Sequence, residues 1–124
     1  MVVELDFCVL KFTKNYIIST VNENIHLTES KAALISKEIV NYFKGNPFIY
    51  ISHRIHNYTV EPHVYKIVSK NKNLLGIIVV SNDKSLIKKS ISEKPLLNNQ
   101  PFFEIFNDLE DALFWANTFS KKNE

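Results

Sequence analysis

The chain has 124 residues, 45% of them apolar and 23% charged, the length and balance of one globular domain with a real core. Its 15 basic and 13 acidic residues leave a net charge of +2, too even for a nucleic-acid-binding surface. No apolar run reaches the roughly 18 residues that would span a membrane, and the start "MVVELDFCVLKF" carries Glu4 and Asp6 where a signal peptide would be basic.

The first two runs, "VVELDFCVLKF" and "YIISTVNE", read as strands joined into a hairpin by the turn-prone "TKN". Cys8, the single cysteine, excludes an internal disulfide and fits a reducing cytoplasm. Its place in a strand-like run marks it as a buried, inert thiol rather than a nucleophile. Thr28 can cap a helix with Glu29 in its first turn. Ala32, Ile35, Ile39 and Phe43 then recur at helical spacing. Gly45 suits a left-handed residue at the helix end, and Pro47 cannot continue the helix.

"FIYIS" is the third strand, with Ile49 and Ile51 on one face and Phe48 and Tyr50 on the other. The Phe48 face is either packed under a helix or a dimer surface. Pro62 opens a second helix whose inner face is Val64, Ile67 and Val68. "LLGIIVVS" is apolar on both faces, as a central parallel strand is. "SNDKSLIKKSIS" predicts a third helix, capped within Ser81 to Asp83, with Leu86, Ile87 and Ile91 turned inward. "PFFEIF" is the fifth strand. Asn107 or Asp108 caps a last helix, where Leu109, Ala112, Leu113, Ala116 and Phe119 form an apolar stripe and Trp115 packs beside it.

The order β-β-α-β-α-β-α-β-α predicts an α/β fold, a mixed five-stranded sheet with four helices and right-handed crossovers. Residues 1–120 are expected to form a single domain, and residues 121–124 to fray.

In such a sheet, ligands bind beyond the carboxyl ends of the parallel strands. Three segments converge there: "ISHRIHNY", "SNDK" and "FNDLED". A metal reading would use His53, His56 and His63, but their spacing suits a helix and the segment leaves a strand. No HExxH pattern helps it. A nucleophile reading would pair Ser52 with His53 or His56, yet adjacent strand residues point to opposite sides. Elbow glycines are missing, and Gly45 and Gly76 alone build no phosphate-cradling loop. Asp83 with Asp108 or Asp111 could pair as carboxylates, but helix capping explains all three. The lysine pairs Lys88–Lys89 and Lys121–Lys122 read as solvated faces. The sharpest residue is Arg54, the lone arginine, whose planar fork matches a carboxylate or phosphate as lysine does not. Asn57, Tyr58 and Lys84 could add donors. The structural alternative is that Arg54 bridges to an acidic residue and fixes the loop.

The strand–helix order, the strand "GIIVVSND", the closing "FNDLEDALFWAN" and the stretch "YISHRIHNYTVEPHVY" resemble small uncharacterised bacterial SpoIIAA-like proteins of the STAS/SEC14-like type. The resemblance covers nearly the whole chain. It implies non-enzymatic work: an interaction module, an antagonist switched by serine phosphorylation, or a sensor of small molecules. In the phosphorylated antagonists the serine lies in an Asp-Ser-x-Gly-type turn after the third strand. Here "YISHRIH" has no Asp before Ser52 and no Gly after it, so Ser52 keeps only the position.

The resulting expectation is a cytoplasmic, non-catalytic binding or regulatory module without a cofactor. Its partner would be a protein, a second copy of the chain, or a small anionic or apolar ligand. Its recognition edge would comprise Ser52, Arg54, His56, Asn57, Tyr58 and Lys84. One rival is a lipid carrier, which needs a cavity beneath the last two helices. The other is a small hydrolase or metal-dependent enzyme built on the histidines.

Overall fold

The computed structural model describes residues 1–93 and 102–122. Strands β1 (Val2–Glu4), β2 (Cys8–Phe12), β3 (Tyr16–Val21) and the two-residue β4 (His26–Leu27) precede helix α1 (Glu29–Phe43). Next come β5 (Phe48–His53), the two-residue β6 (Thr59–Val60) and α2 (His63–Ser69). The order ends with β7 (Leu74–Val80), α3 (Lys84–Glu93), β8 (Phe102–Phe106) and α4 (Leu109–Lys122).

The main sheet has six strands in the order β1-β2-β3-β5-β7-β8, and β4 pairs with β6 in a small parallel sheet of its own. The expected five strands and four helices therefore become six strands in the main sheet, three long helices and the seven-residue α2. The extra strand comes from the first run. It folds back at Leu5–Phe7, where Leu5 N–H donates to the Cys8 carbonyl, and Asp6 suits that turn. Val2 then faces Lys11 across an antiparallel ladder. The β4–β6 pair was invisible because two residues carry no periodicity.

β2 pairs with β3 antiparallel, while β3, β5, β7 and β8 run parallel, so the sheet is mixed as expected. Its two faces are covered unequally. On one face, Leu10, Phe12, Ile17 and Phe48 pack against Ala32, Ile35, Ile39 and Phe43 of α1, with α2 beside them. Phe43 stacks on Phe48 at 4.7 Å, so the Phe48 face holds ordinary helix packing. On the other face, Ile49, Ile51, Ile78 and Val80 meet Ala112 and Ala116 of α4, both fully buried. Each large apolar side chain buried this way contributes about 1.5–3 kcal/mol.

The helix ends follow local chemistry. Thr28 accepts the Lys31 N–H, and Asp83 Oδ1 accepts from Ser85 and Leu86 at the start of α3. Asp108 Oδ1 accepts from Glu110 beside α4. After α1 the chain is left-handed at both Lys44 (φ 50) and Gly45 (φ 88), one residue earlier than expected. In α3, Ile91 is exposed, contrary to the inward position expected of it, and Ser90 is the buried residue instead. α4 runs through Lys122, into the stretch expected to fray, and residues 123–124 lie outside the described residues. Among the described residues, no helix is long and apolar enough to cross a membrane.

Gly76 in β7 lets the Phe102 ring of β8 lie against the strand backbone, and a Cβ there would collide with that ring. Phe102 is held from above by Trp115 and Phe119 at 4.5 and 4.4 Å. Gly76→Ala is therefore expected to destabilise the fold by about 1–3 kcal/mol through overpacking, read as a lower urea midpoint.

Candidate functional site

The alternation of β5 continues one residue past its end. Arg54 N–H donates to the Val80 carbonyl at 2.8 Å, so Phe48, Tyr50, Ser52 and Arg54 share the face beneath α1 and α2. This turns Arg54 inward, where only 3% of it is exposed. Its Nε donates to Tyr58 Oη at 3.0 Å, and its Nη1 donates to Ser90 Oγ. Ser90 passes its own proton to the Leu86 carbonyl one turn back. The guanidinium carbon also lies 4.7 Å from the centroid of the Tyr58 ring. Ser52 Oγ and Tyr58 Oη are 3.2 Å apart, and either hydroxyl can donate. Lys89 of α3 donates to the Tyr58 carbonyl, tying the loop to that helix from its outer side.

The six residues expected at the binding edge thus divide in two. Ser52, Arg54 and Tyr58 meet inside, beneath the loop. His56, Asn57 and Lys84 stay outside: Asn57 N–H donates to Glu23 Oε2 at 3.1 Å, His56 Nδ1 lies 3.6 Å from the same oxygen, and Lys84 is exposed at the start of α3. His53 points to the opposite sheet face, where partial burial and then Lys11 hold its imidazole below the usual histidine range. His63 opens α2. Among the described residues, no group of three His, Cys, Asp or Glu side chains converges.

Below Arg54 a cavity of about 70 Å³ lies between the sheet and α2. Its floor is Tyr50 and Ser52 of β5, Ile77 and Val79 of β7, and Phe103 of β8. Val64 and Val68 of α2 form the roof, and Leu27 and Val60 of the β4–β6 pair form the rim. Ser52, Arg54 and Tyr58 gather at one end, and Tyr50 stands on the floor. Burial pushes the Tyr50 hydroxyl well above the usual phenol range, so it stays a neutral donor. Ser19 of β3 offsets this in part, although its own buried hydroxyl makes no well-formed hydrogen bond. The rival carrier reading needed a cavity beneath the last two helices; under the second of these, α4, the space is filled by Phe102, Trp115 and Phe119.

The residues that sequence reasoning missed are Ser90 and the apolar cavity wall. Ser90 had a signal: it stands four residues after inward-facing Leu86, on the same helix face. The cavity had none, because a void belongs to no single element.

No family model and no curated protein matches the chain. A solved structure does. It is an uncharacterised protein of the DUF3478 family with a SpoIIAA-like fold, from Shewanella loihica. The two superpose with a TM-score of 0.60 over 88% of this chain and 91% of that one, at 12% identity. The fold is SpoIIAA-like. At 12% identity no side-chain role passes from one SpoIIAA-like protein to the other.

Two outcomes test this geometry. Tyr58→Phe removes the acceptor of the buried Arg54 Nε, and is expected to cost about 1–3 kcal/mol in chemical denaturation. Burial pushes the Cys8 thiol up to about 12. A thiol reagent at pH 8 should therefore label the native protein only at the rate of unfolding, and label it at once in denaturant.

Proposed function

We propose that this SpoIIAA-like protein is a non-catalytic binding module. Its ligand is a small, largely apolar molecule that carries one hydrogen-bond-accepting group. The cavity beneath α2 carries the reading. Valine, isoleucine, leucine and phenylalanine side chains make up most of its lining, and Ser52, Arg54 and Tyr58 stand together at one end. Such a lining orients a molecule by its polar end while apolar contact supplies the affinity. Arg54 acts there by fixing Tyr58, to which its Nε donates, while its Nη1 donates to Ser90.

A regulatory output follows from this reading. Tyr58 lines the cavity, and Ile55, His56 and Asn57 of the same loop lie on the surface, with Ile55 largely exposed. A ligand that shifts Tyr58 moves the surface a protein partner or a second copy would meet. That surface is the second reading of the site, favoured by the exposed Ile55.

The experiment is to fill the cavity from its rim. Val60 is half-buried, so Val60→Phe can enlarge inward without disturbing the sheet. Saturable binding of anilinonaphthalene sulfonate to the native protein is expected, at least tenfold weaker in Val60→Phe, with Tm unchanged or raised. Equal dye affinity in the two proteins would place the site elsewhere.

A further inference from the structure

β1 closes one side of the main sheet, and among the described residues no strand lies beyond it. Its hydrogen bonds to β2 alternate. Phe12 N–H donates to the Met1 carbonyl and Leu5 N–H to the Cys8 carbonyl, so Val3, halfway between them and opposite Leu10, turns its backbone toward β2. Val2 and Glu4 therefore turn their N–H and C=O groups outward, spaced for another strand. β1 carries neither lysine nor proline, the residues that commonly guard an open edge. Val2 lies opposite Lys11, and Glu4 opposite Val9, so these four share one face of the sheet. α4 packs on that face over β5, β7 and β8, and the four residues lie outside the cluster it closes. Val2 is 57% exposed there.

We infer that β1 pairs antiparallel with the β1 of a second copy, about a two-fold axis at Val3, so that one sheet runs through a symmetric dimer. An axis at Val3 sets Val2 opposite Glu4 of the second copy, and Glu4 opposite its Val2. All four residues have outward backbone groups, so each pair exchanges both of its hydrogen bonds. Charge fixes this register. Across the junction the side chains read Lys11, Val2, then Glu4 and Val9 of the second copy. Lys11 stands two strand spacings, about 10 Å, from that Glu4, within the joint reach of the two side chains. Its stem crosses the exposed Val2 and covers it. The two-fold repeats the contact, so both lysines gain a carboxylate. Moving the axis to Glu4 would set two carboxylates against each other. A copy of the chain thus supplies both halves of the match. With an edge of three residues the interface is small, and its specificity rests on the charges.

The test is sedimentation equilibrium of the full chain from about 10 µM to about 1 mM, the range a small interface calls for. A monomer–dimer transition is expected within it. Val2→Pro removes one outward N–H from each copy and no bond to β2. It should weaken the dimer about thirtyfold, the effect of two missing hydrogen bonds. Glu4→Lys and Lys11→Glu each set like charges across the junction, and each should be monomeric alone. Mixed in equal amounts, the two should pair with each other, because every reversed charge then meets its opposite. Recovery on mixing also shows that both variants are folded. The inference is overturned by a chain that stays monomeric throughout, by a dimer that Val2→Pro leaves unmoved, or by reversed variants that do not pair when mixed.

Discussion

A guanidinium cannot leave water without partners, and that constraint organises the top of this molecule. β5 carries Arg54 inward by simple alternation, one residue beyond the strand. The loop must then supply Tyr58, whose hydroxyl accepts from Nε and whose ring faces the charge. α3 must supply Ser90, which requires that helix to lie close enough to lose Ser90 from solvent. The strand end, the loop and the third helix are thereby tied to one charge. The cost of burying that charge is large, so its partners cannot be exchanged independently. The loop is also held from outside, where Glu23 accepts from Asn57 and His26 meets Thr59 at 2.6 Å.

The two faces of the sheet solve different problems. Under α4, alanines at 112 and 116 bring the helix close, and aromatic rings close the edge. That face is a filled core. Under α1 and α2 the packing is good where Phe12, Phe43 and Phe48 stack, and loosens toward Tyr50. Small β-branched residues on α2 and β7 leave space that larger ones would occupy. One side of the sheet is thus closely filled and the other keeps internal space.

Much of this was legible from the chain. The order of the main strands, the parallel centre at "LLGIIVVS" and the four inward residues of α1 follow from periodicity. The caps at Thr28, Asp83 and Asp108 follow from side-chain chemistry. The opposed faces of β5 followed from its alternation. What failed did so for local reasons. The turn at Leu5–Phe7 was hidden inside an apolar run, and β4 and β6 were too short to show a pattern. Ile91 was placed inward because hydrophobicity outranks a serine in any pattern count, yet the buried donor of Arg54 needed Ser90. At the site, the topological rule pointed to the strand end where Arg54 stands. It placed Arg54 facing out because it did not carry the alternation of β5 one residue further.

The roof of the cavity is built from Val64 and Val68, and valine has one strongly preferred χ1 rotamer in a helix. Such a roof cannot yield by side-chain rotation, as leucine or methionine would allow. Space can be gained only when the helix moves as a unit, on the slower timescale of backbone rearrangement. The two valines therefore bear on kinetics as much as on shape. They tie any change in the size of that cavity to a movement of α2 itself.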